Sequence, residues 1–213
     1  MEFYSQYQQD KIVYEMFFKN KKNGTFVEIG ASGASNCYFF EKNMGWNGLA
    51  IDGYKKLYED IKKYRKCTVL YKILSDEEGE DEFIEVKGYG HLYSGLMSKM
   101  PEEQKLRIKR VLTKEDNKKE NFGAKIRKVK TEKLSNVLEE HNITHIDYLS
   151  IDTEGSEIEI LSTVDFDKVN IDVITIEDNF NIPKYTEFFE KRGYTLIKKA
   201  HVDKIFAKIP VLK

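Results

Sequence analysis

Short apolar runs that stop at acidic residues recur along this chain. They are TFVEIG (25–30), NGLAID (47–52), CTVLYKIL (67–74) with Ser75 and Asp76 behind it, HIDYLSID (145–152) and NIDVITIED (170–178). Runs of this length and composition predict buried β-strands. Between them, apolar residues at three- and four-residue spacing predict amphipathic helices over 8–20, 35–44, 54–65, 131–141, 156–164 and 182–194. Gly45 and Gly193 stand where two of these would stop, and Thr131 where one would be capped. Strands alternating with helices leave few folds open. The pattern demands an α/β architecture, a mostly parallel sheet with helices on both faces. TLIKKA (195–200) and KIFAKIPV (204–211) then form an antiparallel C-terminal hairpin at one side.

Right-handed crossovers put ligands at the carboxyl ends of such strands, near the point where strand order reverses. Glu28, Asp52, Asp76, Asp152 and Glu177 all lie at strand ends. In the turn VEIGASGASN (27–36), Gly30 and Gly33 let a ligand approach the backbone. The chain has no GxxxxGK[ST] loop and no complete GxGxxG. The acid Glu28 disfavours a pyrophosphate there and suits a cationic, zwitterionic ligand such as S-adenosylmethionine. Asp52 follows Gly30 by about 20 residues, the spacing at which an acid meets ribose hydroxyls. At the other end, Asp152, Glu177 and Asp178 on adjacent strand ends predict a hard divalent cation, Mg²⁺ or Mn²⁺. Without a metal, the same acids would bind sugar hydroxyls or a cofactor amine, or cap helices. Asp152 and Glu154 are candidate bases, and Glu157 is expected to complement a helix dipole. Of four histidines, His91 in GYGHLYSGL has the best context for a catalytic base. Gly88 and Gly90 let that loop bend, Tyr89 and Tyr93 could stack on a sugar ring, and Ser94 completes the acceptor contacts. His141, His145 and His201 are expected to be structural or exposed.

Residues 87–125, rich in Lys and Arg, interrupt the alternation and read as a lid or substrate-docking insertion in a single domain spanning 1–213. Lys and Arg total 35 against 36 Asp and Glu, which argues against a general nucleic-acid or polybasic membrane binder. The basic stretch from Lys99 to Lys133 is the sole support for an RNA substrate. Cys37 and Cys67 are too few for a disulfide scaffold and are expected as free thiols in a reducing, cytoplasmic setting, the host's should the AT-rich composition be viral. No apolar stretch approaches the roughly 18 residues a spanning helix needs, and MEFYSQYQQDK lacks a signal-peptide apolar region. The first motif begins almost at once, so one expectation is a domain cut from a longer protein with further glycan-processing domains.

Taken in order, SQYQQDKIVYEMFF, GTFVEIGASG, SNCYFFEKNMGWNGLAID, LYSGL, IDYLSIDTEGSEIEIL and ITIED resemble the FkbM-type methyltransferases. The resemblance covers nearly the whole chain, although the turn before SN is shorter than is common and IDG stands where IEP is usual. It implies a Rossmann-like class I methyltransferase fold with a seven-stranded sheet and S-adenosylmethionine-dependent O-methylation. It further implies that Glu28, Gly30 and Ser32 line the methionine and ribose part of the cofactor site. Asn36 would contact the cofactor nearby, Asp52 would hold the ribose, and Ser75 with Asp76 would face the adenine. Related O-methyltransferases hold Mg²⁺ near the acceptor hydroxyl. The expected acceptor is a hydroxyl of a sugar or glycan. The alternatives are an RNA or small-molecule acceptor, or a non-catalytic module of the same fold.

Overall fold

A computed structural model describes residues 1–33, 35–113 and 123–208, the Tyr89 side chain excepted. Ten strands form two sheets: β1 (Thr25–Ile29), β2 (Asn47–Asp52), β3 (Thr68–Tyr71), β4 (Gly79–Val86), β5 (Gly95–Leu96), β6 (Ala124–Thr131), β7 (His145–Ile151), β8 (Asn170–Glu177), β9 (Tyr194–Ala200) and β10 (Asp203–Lys208). The larger sheet has seven strands in the order β3-β2-β1-β7-β8-β10-β9. Its neighbours pair in parallel from β3 through to β8, while β10 runs antiparallel to both β8 and β9. The chain therefore builds outward from β1 to β3, then returns to lay β7 on the other side of β1. That reversal puts the crevice above β1 and β7.

The helices are α1 (Gln9–Val13), α2 (Tyr38–Met44), α3 (Lys55–Ile61), α4 (Glu102–Thr113), α5 (Leu134–Glu140), α6 (Glu157–Ser162) and α7 (Pro183–Glu190). They cover both sheet faces because successive strand residues point to opposite sides. Val27, Ile29, Leu149 and Ile151 pack with Leu134, Leu138 and Phe189 on one face. Phe26, Ala50 and Tyr148 pack on the other with Phe18, Phe39, Phe40 and Trp46. Among the described residues no helix is long and apolar enough to cross a membrane.

Four expectations change. The first helix is short and runs on into a π-helical turn, Tyr14–Phe18. The third strand stops at Tyr71, because beyond it the chain bends until Leu74 bridges Glu132. Thr131 ends β6 and donates its hydroxyl to the Glu77 carbonyl (2.8 Å), so it caps no helix. The segment read as an insertion runs between two strands of a second sheet, β4 and β6, and supplies its short third strand, β5. There β4 and β6 pair antiparallel from Gly79 opposite Thr131 to Val86 opposite Ala124, with β5 on the far edge of β4. Residues 114–122 of that segment and 209–211 of the hairpin lie outside the described residues.

A buried cation ties the front of the sheet together. Arg65, its side chain fully buried, donates from Nη1 to Glu28 (2.7 Å) and from Nε to Glu41 (2.5 Å). Glu28 also accepts from Ser35 Oγ (2.7 Å) and from the backbone N–H groups of Asn36 (2.8 Å) and Cys37 (3.2 Å). Glu41 accepts from the N–H groups of Lys66 and Cys67. Two carboxylates share one guanidinium, and fixed backbone dipoles offset the excess negative charge. Removing the cation alone would strand both acids in the core. Arg65→Met is therefore expected to lower unfolding free energy by about 3–5 kcal/mol. The triple variant that adds Glu28→Gln and Glu41→Gln should regain most of the loss, as read from urea midpoints.

Candidate active site

The carboxyl ends of β1, β2, β7 and β8 open into a cavity of about 650 Å³. Its floor is set by how closely these ends meet. Gly30 N and Ala31 N donate to Ile51 O (2.9 and 3.1 Å), and Asp152 N donates to Ile29 O (3.0 Å). Gly30 adopts φ +77°, and a Cβ there would stand 1.7 Å from the Asp152 carbonyl oxygen. Only glycine allows this approach, which brings the two central strand ends into one site. Leu57, Ile73, Leu74 and Phe83 form an apolar wall beside Asp52. Residues 91–96, of which Leu96 packs on Ile73 and Phe83, and the turn after β7 also line it. Gln6, Tyr7 and Gln9 complete the enclosure with His201 and Asp203 from the β9–β10 turn.

Acids dominate the polar lining. Asp52 is buried, and although Tyr54 N donates to it (2.6 Å), loss of solvent pushes its pKa up to about 7. Asp203, joined to Gln9 Nε2, is pushed up to about 6 by the same cause. Carboxylate oxygens of Asp152, Glu154 and Glu177 all lie within 4.8 Å of one another. Asp152 faces the open cleft but is surrounded by protein. Burial raises all three carboxyls first; nearby charge raises them further, from Glu157, Asp203 and Glu28 at Asp152 and from Asp152 and Glu157 at Glu154 and Glu177, while the hydrogen bond with Glu177 draws Asp152 back down. Glu177 is pushed up to about 11 and shares a side-chain hydrogen bond with Asp152.

The turn that carries Glu154 is held from outside the cavity. Glu154 itself has φ +62° and accepts from Gln104 Nε2 on α4 (2.6 Å). Next to it, Gly155 at φ +121° leaves room for Pro101, whose Cδ would lie 2.3 Å from a Cβ. Glu157 collects Thr153 N (2.9 Å), Gly155 N (3.0 Å) and the Tyr185 hydroxyl (2.7 Å). It sits in the first turn of α6, as expected, but its oxygens fix the preceding turn.

The cavity brings together Gly30, Ser32, Asn36, Asp52, His91, Tyr93, Ser94, Asp152, Glu154 and Glu177. Asn36 donates to Ser150 Oγ (2.9 Å). His91 donates from Nδ1 to the Gly88 carbonyl (2.9 Å), since that oxygen can only accept, and Nε2 thereby carries the lone pair. Ser94 accepts from Val86 N (3.0 Å) and donates to His91 O (2.7 Å), so it braces the loop.

Other expectations are corrected. Glu28 is buried beneath the floor, with both oxygens committed to Arg65, Ser35 and the α2 entry. Ser75 and Asp76 stand outside the cavity wall, because the chain bends after Tyr71; Asp76 pairs with Lys99 (2.7 Å) instead. Asp178 points away from Asp152 and Glu177 to Lys204 (2.5 Å) and Ile182 N (2.8 Å), and Glu154 takes its place in the cluster. One face of the Tyr93 ring is covered by Arg107, 5.1 Å away. The Tyr89 side chain lies outside the described residues. His201 is an exposed turn residue, as expected, and also stacks on Tyr7 with ring centres 4.0 Å apart. Gln6, Tyr7, Gln9, Asp203 and Arg107 went unread as site residues; the one signal available was the polar SQYQQD run ahead of the first helix.

A family model described as the methyltransferase FkbM domain matches residues 23–196, and the chain belongs to that family. No curated protein and no solved structure matches it significantly.

The raised Asp52 pKa carries a signed consequence. The folded chain holds this proton up to about pH 7, whereas the unfolded chain releases it near 3.8. Folding binds a proton across that window, so the contribution of Asp52 to stability falls as pH rises through it. Asp52→Asn should gain stability relative to the native chain between about pH 4 and about pH 7. Paired urea melts across that range check the sign; a constant difference would refute it.

Proposed function

We propose that the chain is an S-adenosylmethionine-dependent O-methyltransferase acting on a hydroxyl of a sugar or glycan. The observation that carries this reading is the clustering of Asp152, Glu154 and Glu177 within 4.8 Å at the acceptor side of the cavity. At about 650 Å³, the cavity has the size of small-molecule sites in general. Its lining fits the cofactor in three ways. A sulfonium suits a wall of carboxyls. Ribose hydroxyls suit Asp52, a buried acid with one oxygen held by Tyr54 N. An adenine suits the apolar wall of Leu57, Ile73, Leu74 and Phe83, which replaces Ser75 and Asp76 in that role. Gly30, Ser32 and Asn36 would meet the amino-acid part. Bound there, S-adenosylmethionine supplies an electrophilic methyl group.

The protein has two tasks: alignment of the acceptor oxygen and removal of its proton. Asp152 is the proton acceptor. Its raised pKa makes it a stronger base than an ordinary carboxylate at neutral pH, and the Glu177 proton holds it in place by their hydrogen bond. His91 Nε2, left with its lone pair, accepts from a neighbouring acceptor hydroxyl and orients the ring. A Mg²⁺ or Mn²⁺ ion fits the same carboxyl trio, whose oxygens are hard donors; it would supply Lewis acidity to the acceptor hydroxyl. Proton and metal compete for these oxygens. An RNA acceptor has less support. Lys99 pairs with Asp76, Lys105 with Glu102 and Arg127 with Glu85, while Lys128 and Lys130 sit opposite Glu82 and Glu80 on β4.

Transfer of labelled methyl from S-adenosylmethionine to a panel of mono- and oligosaccharides tests the reading, and failure of S-adenosylhomocysteine to bind the folded chain would overturn it. Asp52→Ala should weaken S-adenosylhomocysteine binding about ten- to hundredfold, a loss of roughly 1.5–3 kcal/mol by calorimetry. Asp152→Asn should leave that binding intact and lower kcat by about 10²–10⁴. His91→Gln should raise the acceptor KM more than it lowers kcat. Chelation by EDTA should suppress turnover and Mg²⁺ or Mn²⁺ restore it; full activity after chelation leaves Asp152 to act without a metal.

A further inference from the structure

We infer that the acceptor carries an oxoanion, a carboxylate, phosphate or sulfate, near the hydroxyl to be methylated, and that Arg107 of α4 binds it. The inference rests on the acceptor-site reading above. Arg107 lines the cavity and is half-buried. It reaches the wall because α4 is docked firmly. Gln104, fully buried, donates to Glu154, and Ile108 packs with Ile84, Val86 and Met100. Arg107 lies one helical turn beyond Gln104, on the face that meets Tyr93. Its guanidinium stacks over that ring at 5.1 Å. Its other polar contact is a long donation to Gln104 Oε1 at 3.5 Å.

Among the Lys and Arg side chains that line the cavity, Lys72 and Arg107, it is Arg107 that has no ion-pair partner. Among the described residues, Lys72 pairs with Glu132 and Glu140, Lys99 with Asp76, Lys105 with Glu102 and Arg127 with Glu85. Arg107 forms no such pair, although the same cavity holds five carboxyls. Glu154, on the turn that α4 holds, accepts from Gln104 Nε2 instead (2.6 Å). A guanidinium pinned by stacking, with edge N–H donors unspent, has the form that receives a planar or tetrahedral oxoanion through paired bonds. It stands beside Tyr93 and Glu154, on the acceptor side. The family likeness says nothing about such a group; the placement of Arg107 does.

The test uses the full chain saturated with S-adenosylhomocysteine. Calorimetry compares D-glucuronate, D-galacturonate, glucose 1-phosphate and glucose 6-sulfate with D-glucose and D-galactose. At least one anionic probe should bind about tenfold or more tightly than its neutral counterpart. Arg107→Gln should erase that preference about ten- to hundredfold, and Arg107→Lys should restore part of it. The ranking among uronates, phosphate and sulfate identifies which oxoanion is meant. Equal binding of charged and neutral probes, or no binding of any anionic probe to the loaded chain, overturns the inference. So does a loss of S-adenosylhomocysteine affinity in Arg107→Gln, which would assign the guanidinium to the cofactor. If the native chain fails to bind S-adenosylhomocysteine at all, the methyltransferase reading itself falls, a result separate from these.

Discussion

Everything at the working end of this protein depends on one buried guanidinium. Arg65 holds Glu28 at the end of β1 and Glu41 inside α2, and each acid in turn gathers backbone N–H groups. The strand end, the turn after it and the entry to β3 are thus fixed from below. Gly30 can then press against the Asp152 carbonyl, and the carboxyl ends of the two central strands open into one cavity. A neutral, apolar version of this node could pack as well. It could not direct the Asn36 and Cys37 N–H groups inward, and the floor of the cavity would lose its shape.

The electrostatics of the site follow from the same geometry. Strand ends that converge bring their acids together, and Asp152, Glu154 and Glu177 cannot all be charged at that spacing without a cation. The protein answers with shared protons and with turn-holding residues. Glu157 supports the backbone of the turn, while Gln104 reaches in from α4 to hold Glu154. The basic segment that interrupts the sequence pattern is therefore part of the site wall. Its helix supplies the amide that fixes an acid and the guanidinium that stacks on Tyr93.

Much of this was legible in the sequence. The parallel sheet, the closing hairpin and the acids at strand ends follow from periodicity and chain punctuation, and Asp52, Asp152, Glu154 and Glu177 were all named from their positions. What escaped has a common cause. A carboxylate at a strand end looks the same whether it faces a cavity or a cation, and Glu28 meets an arginine 37 positions away. Asp178, next to Glu177, points to the other side of the strand end, where Lys204 waits. The bend after Tyr71, which carries Ser75 and Asp76 off the wall, is imposed by the second sheet, whose pairing no local pattern announces. Gln6, Tyr7 and Gln9 matter only because a distant turn folds against them.

That last contact decides how the site is closed. Tyr7 stacks on His201, and Gln9 bonds to Asp203, so the enclosing wall joins residues from opposite ends of the described chain. β10, which brings Asp203, is inserted between β8 and β9 although it is made after both. Enclosure of the acids therefore rests on contacts between residues up to 194 positions apart, and it needs β10 seated between β8 and β9.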